Sequence, residues 1–300
     1  MLTCAAIDCP SFLPAPLRQA LADGRRRLTP CAEGQMVWHE WGEVSQPAVV
    51  LLHGGSGSWL HWVRNIGPLR DQGWRVLVPD LPGFGDSHLP PECTDTQHLP
   101  PFLHEGLAQL APVGPVRLVG FSFGGMTAAL WMKEFPLDAQ QLVLVGAPGM
   151  GIKVPERVPL KGWRHLLQAE QRDEVHRHNL LALMLHSPES LDALALDLHR
   201  ANVERDRMPR RRLSGTPIVA ETLPHLSLPV SAIYGEHDAL YAGRLHEVQA
   251  LMQNLTPNWR GWHTVPQSGH WVQYEAAPAL DDALHRVLRE PLDSKPSAAV

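Results

Sequence analysis

A surplus of positive charge is missing from this chain. It carries 26 Lys and Arg against 31 Asp and Glu over 300 residues, a formal net charge of −5. Nucleic-acid binders usually present a strongly basic face, so no nucleic-acid partner is expected. The one basic run, Arg205 to Arg212, is interrupted by Asp206, Met208 and Pro209 and reads as a solvated surface turn. No run of about 18 apolar residues exists, so no membrane span is expected. Met1 to Asp8 has no basic start followed by an apolar stretch, so no secretory signal is expected either. Cysteine is scarce: Cys4, Cys9, Cys31 and Cys93, all in the first third and without the histidine spacing of a zinc site. Free thiols in a reducing cytoplasm, and no bound metal, are the expectation.

With 44% hydrophobic and 19% charged residues, the chain can bury a core. Short apolar runs punctuate it at Ala48–Leu52, Val76–Val78, Val116–Val119, Leu142–Val145 and Val230–Tyr234. Their hydrophobicity is continuous rather than alternating, as in parallel strands covered on both faces. Helical stretches such as Leu60–Asp71 and Phe102–Leu110 lie between them, which points to an α/β fold with right-handed crossovers. Gln35–Glu40 reads as an earlier antiparallel edge hairpin. Between about Gly151 and Leu226 the rhythm turns helical. Ser187-Pro188-Glu189 there predicts a helix start, with Leu191, Leu194, Ala195 and Leu198 forming its apolar stripe. The expected organisation is a core over 1–150, a helical cap over 151–226 and the rest of the core over 227–300. The tail from Pro291 is expected to fray.

The most informative run is Gly120-Phe121-Ser122-Phe123-Gly124, set between a predicted strand and a predicted helix. A Gly-x-Ser-x-Gly on a strand-to-helix turn is a nucleophile elbow. A serine hydroxyl is a poor nucleophile at neutral pH, so it needs a base, and the base needs orienting. Asp238 follows one strand in Tyr234-Gly235-Glu236-His237-Asp238. His270 follows another, Gly261–Val265, in Ser268-Gly269-His270-Trp271. Both sit at strand carboxyl ends, where open α/β sheets build their sites. Glu236 is the alternative acid.

Acyl transfer also needs donors aimed at the developing oxyanion. One is the backbone N–H of Phe123. The other is expected from His53-Gly54-Gly55-Ser56-Gly57-Ser58, with Gly55 first and Ser56 second. This loop has neither the Gly-Lys-Ser/Thr of a P-loop nor dinucleotide glycine spacing, so no cofactor is expected. His53 reads as a brace for the loop, and Asp80 to Ser87 as a structural turn near the site. Phe121, Trp271 and Ser56 are the candidate substrate contacts. Trp59 and Trp62 also flank these loops but read equally well as core packing.

Across nearly its full length the chain resembles the α/β-hydrolase superfamily. The matching segments are His53-Gly54-Gly55, Asp80 to Ser87, Gly120 to Gly125, Gly235-x-x-Asp238 and Gly269-His270. The resemblance implies an eight-stranded, mostly parallel sheet with a helical cap over the site. A finer likeness is to the meta-cleavage-product hydrolases, which hydrolyse C–C bonds in ring-cleavage products. It rests on Arg64-Asn65-Ile66-Gly67-Pro68-Leu69, Gly269 to Glu275 and, more weakly, Gly146 to Gly151. That likeness implies a cap arginine on the substrate carboxylate, with Arg200 and Arg205 as candidates. The chain departs from that family at Phe121, where Asn is usual, and at Ser56-Gly57-Ser58.

The favoured reading is therefore a serine hydrolase of a small, apolar or aromatic ester, working through Ser122, Asp238 and His270. A C–C hydrolase of the meta-cleavage-product type is the alternative, and a non-catalytic ligand-binding relative comes third. The expected partner is a small-molecule substrate; nothing in the sequence reports an oligomeric state.

Overall fold

The computed structural model describes residues 4–111, 114–154 and 158–292. Its centre is one nine-stranded sheet in the order β1-β2-β3-β5-β4-β6-β7-β8-β9. The first strands are β1 (Cys4–Ala6), β2 (Arg25–Cys31) and β3 (Gly34–Trp41), followed by β4 (Ala48–Leu52) and β5 (Arg75–Pro79). The remainder are β6 (Val116–Phe121), β7 (Ala139–Val145), β8 (Val230–Gly235) and β9 (Trp259–Val265). Antiparallel pairing joins β1, β2, β3 and β5, and every later pair is parallel. Two expectations are corrected. The sheet gains a ninth strand because Cys4–Ala6 pairs with Arg25–Arg27. The Gln35–Glu40 segment is not at an edge, because β3 lies between β2 and β5.

Strand alternation sends successive side chains to opposite faces. Val50, Leu52 and Leu118 join one buried apolar cluster, while Val49, Leu51 and Val119 join the other. Helices cover both faces: α1 (Ala15–Leu21), α2 (Ile66–Asp71), α3 (Pro100–Leu110) and α4 (Phe123–Glu134) before the cap. The expected helix Leu60–Asp71 is broken into a 3-10 turn, Trp59–Trp62, and α2.

Between β7 and β8 the described residues hold helices and no strand: α5 (Ala169–Asn179), a π-turn over Leu180–Met184, α6 (Ala193–Val203) and α7 (Ile218–Thr222). The start signal at Ser187 opens only a 3-10 turn, Pro188–Ser190. The helix itself begins five residues later, where the Asp192 carboxylate accepts from Ala195 N–H at 2.7 Å. The chain ends with α8 (Leu245–Leu255), α9 (Val272–Glu275) and α10 (Ala277–Arg289). Of the expected frayed tail, residues 293–300 lie outside the described residues. Among the described residues no helix is long and apolar enough to cross a membrane.

The strand order places β4 beside β6 although β5 intervenes in the chain. The direction of winding reverses there, so the loops leaving the carboxyl ends of β4 and β6 diverge and open a crevice. Ser122 leaves one of these strands and His53 the other.

One helix contact carries a pH signature. Asp281 on α10 accepts a 2.8 Å hydrogen bond from Asn65 Nδ2. Burial pushes its carboxyl up to about 7, against the lowering effect of Asn65. The folded state therefore holds a proton that the unfolded chain gives up near pH 4, so this residue opposes folding increasingly from about pH 4 to 7. Asp281→Asn is expected to raise Tm at pH 8 and to leave it unchanged at pH 4. Each kcal/mol gained reads as about 2–4 °C in a thermal melt at this chain size.

Candidate active site

Ser122 is the single residue between β6 and α4, and its backbone sits at φ 51°, ψ −118°. For a residue with a Cβ this conformation costs about 1–3 kcal/mol. The turn is held by close packing. A Cβ on Gly120 would lie 2.5 Å from the Gly124 carbonyl oxygen, and one on Gly124 would lie 2.5 Å from the His53 carbonyl oxygen. Only glycine allows either approach. Ser122 N–H donates to the Val145 carbonyl at 2.8 Å, and Ser122 C=O accepts from Gly125 and Met126 as the helix begins.

Asp238 and His270 reach this serine from the loops after β8 and β9. His270 Nε2 lies 2.9 Å from Ser122 Oγ, and Nδ1 lies 2.8 Å from Asp238 Oδ2. The carboxylate can only accept, so Nδ1 carries a proton and Nε2 is free to take one from Ser122. Asp238 is fully buried, and its second oxygen accepts from Leu240 N–H at 2.9 Å. Two glycines make room. A Cβ on Gly146, which has φ +55°, would lie 3.1 Å from both Asp238 Oδ2 and His270 Nδ1; one on Gly235 would lie 2.1 Å from the Gly269 carbonyl. Glu236, the alternative acid, instead accepts from Gln267 N–H at 3.0 Å and stands apart from His270.

The loop after β4 meets this group from the other side of the crevice, since Leu52 pairs with Gly120. His53 is fully buried; its Nδ1–H donates to the Gly54 carbonyl at 2.8 Å and its Nε2 accepts from Leu81 N–H at 2.9 Å. It is a brace, as expected. Burial pushes its pKa down to about 4, so it stays neutral. The Gly54 N–H is occupied by His61 Nδ1 at 3.2 Å. The N–H groups of Gly55 and Phe123 have no acceptor among the described residues, and a Cβ on Gly55 would lie 3.6 Å from Phe123 Cβ. These two donors flank the space above Ser122 Oγ. Asp80 fixes the base of the site by accepting from Trp59 N–H at 2.9 Å and Asp86 N–H at 3.0 Å.

A cavity of two adjoining lobes lies under the cap. The first, about 300 Å³, contains Ser122 and His270 with Phe121, Phe123, Met126 and Leu240. The second, about 520 Å³, contains His61, Trp163, Arg164, Lys161 and His199. Gly55, Ser56, Leu160, Leu183 and Met184 line both. Leu183 and Met184 belong to the π-turn, an irregularity that recurs at functional sites.

Three substrate-contact expectations meet different fates. Phe121 lines the first lobe. Ser56 lines both, with Oγ donating to Asp206 Oδ2 at 2.5 Å. Trp271 lines neither lobe: it is buried, stacks on Tyr274 at 4.5 Å, and donates from Nε1 to the His61 carbonyl at 3.1 Å. Trp59 and Trp62 are likewise core residues.

The basic run is solvated in part: Arg207, Arg210 and Arg212 are exposed, and Arg211 is the exception. Arg211 lines the first lobe, pairs with both oxygens of the buried Asp206 at 3.0–3.1 Å, and donates to Ser56 Oγ at 3.0 Å. Its charge is thus matched inside the protein. Arg200 pairs instead with Asp173 at 3.1 Å and Arg205 with Asp86 at 3.0 Å, and neither lines a lobe. His61 and Arg211 are the site residues that motif reading passes over. Arg211 carries no local signal, whereas Gly146, which opens one of the matching segments, gains its role from facing the acid at a strand end.

Comparison with known proteins gives one consistent frame. The alpha/beta hydrolase fold family model matches residues 47–277. A 2-hydroxy-6-oxo-6-phenylhexa-2,4-dienoate hydrolase of Burkholderia cepacia is 30% identical, over 78% of this chain and 85% of its own length. A 2-hydroxy-6-oxononadienedioate/2-hydroxy-6-oxononatrienedioate hydrolase of Comamonas testosteroni is 29% identical, over 78% of this chain and 85% of its own. Among solved structures, a serine hydrolase from Cycloclasticus zankles superposes with a TM-score of 0.73 at 19% identity, covering 90% of this chain and 100% of that one. A carboxylesterase from Bacillus subtilis superposes with a TM-score of 0.72 at 17% identity, over 91% and 95%. At such identities the structural likeness speaks for the fold alone.

Two stability measurements follow from the geometry. Ser122→Gly removes the Cβ strain, and chemical denaturation is expected to show a gain of about 1 kcal/mol, with less than the strain range because glycine also loosens the unfolded chain. His53 is neutral in the folded state down to about pH 4, while the unfolded histidine gains its proton near 6.5. Stability should therefore fall from about pH 6.5 to 4 and flatten below, and His53→Asn should show a shallower decline in the same melts.

Proposed function

We propose a function for this chain from one premise: it belongs to the alpha/beta hydrolase fold family. It is a hydrolytic enzyme related to meta-cleavage-product hydrolases and esterases. Our reading is hydrolysis of a C–C bond next to a ketone in a ring-cleavage product that carries a carboxylate. Sequence motifs alone rank ester hydrolysis first; homology over most of the chain reverses that order. The observation that carries the reading is the pairing of the two lobes. Ser122, His270 and the free N–H groups stand in a lobe suited to a carbonyl, whose one cation, Arg211, is paired with Asp206. Lys161 and Arg164 line the adjoining lobe, and among the described residues neither has a carboxylate partner. An elongated keto acid fits that division, and the relatives' names specify hydroxy-oxo-dienoates and dienedioates.

In this mechanism the enol proton of the substrate moves, with His270 as relay, to the carbon that will leave. His270 then removes the Ser122 proton, and Oγ attacks the ketone. The Phe123 and Gly55 N–H groups take the charge on the oxygen; losing one such donor costs about 3 kcal/mol of barrier. Asp238 holds His270 in the tautomer that leaves Nε2 free and balances its positive charge. The C–C bond breaks with its electrons passing to the departing fragment, whose enolate oxygen takes the proton from His270 to give the dienol; His270 then deprotonates the water that releases the acid from Ser122.

Ester hydrolysis is the second reading. It is favoured by the apolar lining of the first lobe and by the neutralisation of Arg211 by Asp206. The two are separated by colour. Wild-type protein should bleach yellow 2-hydroxy-6-oxo-6-phenylhexa-2,4-dienoate, and Ser122→Ala should not, with its melt unchanged. Lys161→Met with Arg164→Met should raise KM for this acid by about tenfold or more, the worth of one charge-assisted hydrogen bond. It should leave KM for 4-nitrophenyl butyrate unchanged. Hydrolysis of the ester without bleaching of the acid would replace the first reading by the second.

A further inference from the structure

His61 belongs to no motif, yet it sits where the two lobes meet the loop after β4. It lies in the 3-10 turn Trp59–Trp62, which begins where Ser58 Oγ accepts from Leu60 N–H at 3.3 Å. Ser58 Oγ also donates to Asn202 Oδ1 of the cap at 2.6 Å. The His61 carbonyl accepts from Trp271 Nε1. Its ring is wedged edge-on to Phe121 at 5.5 Å and tilted against Trp271 at 5.2 Å. The turn thus has little freedom, and the side chain is 4% exposed.

The glycine loop is wrapped around this imidazole. A Cβ on Gly57 would lie 2.3 Å from His61 Cε1, so only glycine lets the chain pass there. On the other side, Gly54 N–H donates to Nδ1 at 3.2 Å. That bond requires a lone pair on Nδ1, so the neutral ring carries its proton on Nε2. Burial, reinforced by His53, His199 and His270, holds the His61 pKa well below the usual histidine range and keeps the ring neutral. Nε2–H has no acceptor among the described residues, and the ring lines the second lobe.

We propose that His61 is a positioning and specificity residue with two separate jobs, one for each ring nitrogen. Nδ1 anchors the Gly54 peptide and thereby aims the next N–H, that of Gly55, at the oxyanion. Nε2–H donates to a neutral or anionic acceptor oxygen of the substrate, a carbonyl, ether or carboxylate oxygen, seated in the second lobe. The second job goes beyond the cationic rim of Lys161 and Arg164, since it recognises oxygen without requiring charge. The proposal rests on hydrolysis at Ser122 with Gly55 as oxyanion donor, but not on whether the natural bond is C–C or ester.

The two nitrogens can be replaced one at a time. Asparagine places an acceptor oxygen close to the Nδ1 position, and glutamine places an N–H donor close to the Nε2 position. The substrates are 4-nitrophenyl hexanoate and its three isosteres with an ether oxygen replacing the methylene at position 3, 4 or 5. Wild-type protein is expected to show at least a fivefold lower KM for one ether than for the hexanoate. His61→Asn should keep kcat within about threefold and lose that preference. His61→Gln should retain part of the preference while kcat falls at least tenfold. His61→Phe should lose both, and thermal melts of all three establish that the folded protein is being assayed. Equal loss of kcat in the Asn and Gln variants, or no ether preference in an active wild type, overturns the proposal alone. A wild type inert toward all four esters overturns the proposal, and one that also fails to bleach the ring-cleavage product overturns the hydrolytic reading with it. Failure to bleach alone bears only on the C–C reading.

Discussion

A hydroxyl at φ 51° stays there because the backbone on either side of it is packed to contact distance. Gly120 against Gly124, and Gly124 against the carbonyl of His53, bring β6, α4 and the loop after β4 together around one side chain. The remaining parts of the site are arranged about that knot. The same turn projects Ser122 Oγ toward His270, turns Phe123 N–H upward and brings the glycine loop close enough to add a second donor. A strained residue survives only when its surroundings over-determine it. Here the surroundings are backbone, which cannot rotate out of the way as a side chain can.

The second constraint is charge matching. Three charged side chains approach the first lobe: Asp238 and the Asp206–Arg211 pair. Asp238 faces His270 and Leu240 N–H, and Arg211 is held by both oxygens of Asp206. Arg211 is matched by a carboxylate and Asp238 is held by hydrogen bonds, so no unpartnered charge faces the space above Ser122. A charge buried without a partner would cost several kcal/mol and disorder the loop it sits on. Lys161 and Arg164, which have no carboxylate partner among the described residues, stand exposed in the outer lobe, with Arg164 donating to the Val203 and Asp206 carbonyls.

The cap is tied to the chemistry through the loops it covers. Asn202 and Asp206, at and just beyond the end of α6, hold Ser58 and Ser56. Glu275, on α9, accepts from Gly269 N–H beside His270 and from the N–H groups of His186 and Ser187 in the cap. A displacement of the cap would therefore be felt at the glycine loop and at the histidine loop together. This physical coupling lets a group in the outer lobe bear on geometry at Ser122.

The sequence by itself determined the elements whose physics is local. Tight turns demand glycine, so Gly120 and Gly124 were legible as an elbow and the Gly54-Gly55 pair as a tight loop beside it. Buried parallel strands demand continuous apolar runs, so β4 through β8 appear within a few residues of their final bounds. Asp238 and His270 could be placed from strand ends and chain order. Tertiary structure decided what depends on partners far along the chain. Arg211 reads as surface charge until Asp206 and Ser56 close around it. Trp271 reads as a pocket wall until Tyr274 stacks on its ring and the His61 carbonyl takes its indole N–H. The helix start at Ser187 yields to Asp192 because Asp192 supplies the carboxylate that caps Ala195. His61, one of 17 histidines, acquires a role only when a loop beginning eight residues earlier wraps its ring. Side-chain identity records local conformational need, whereas burial and partnership are properties of the folded whole.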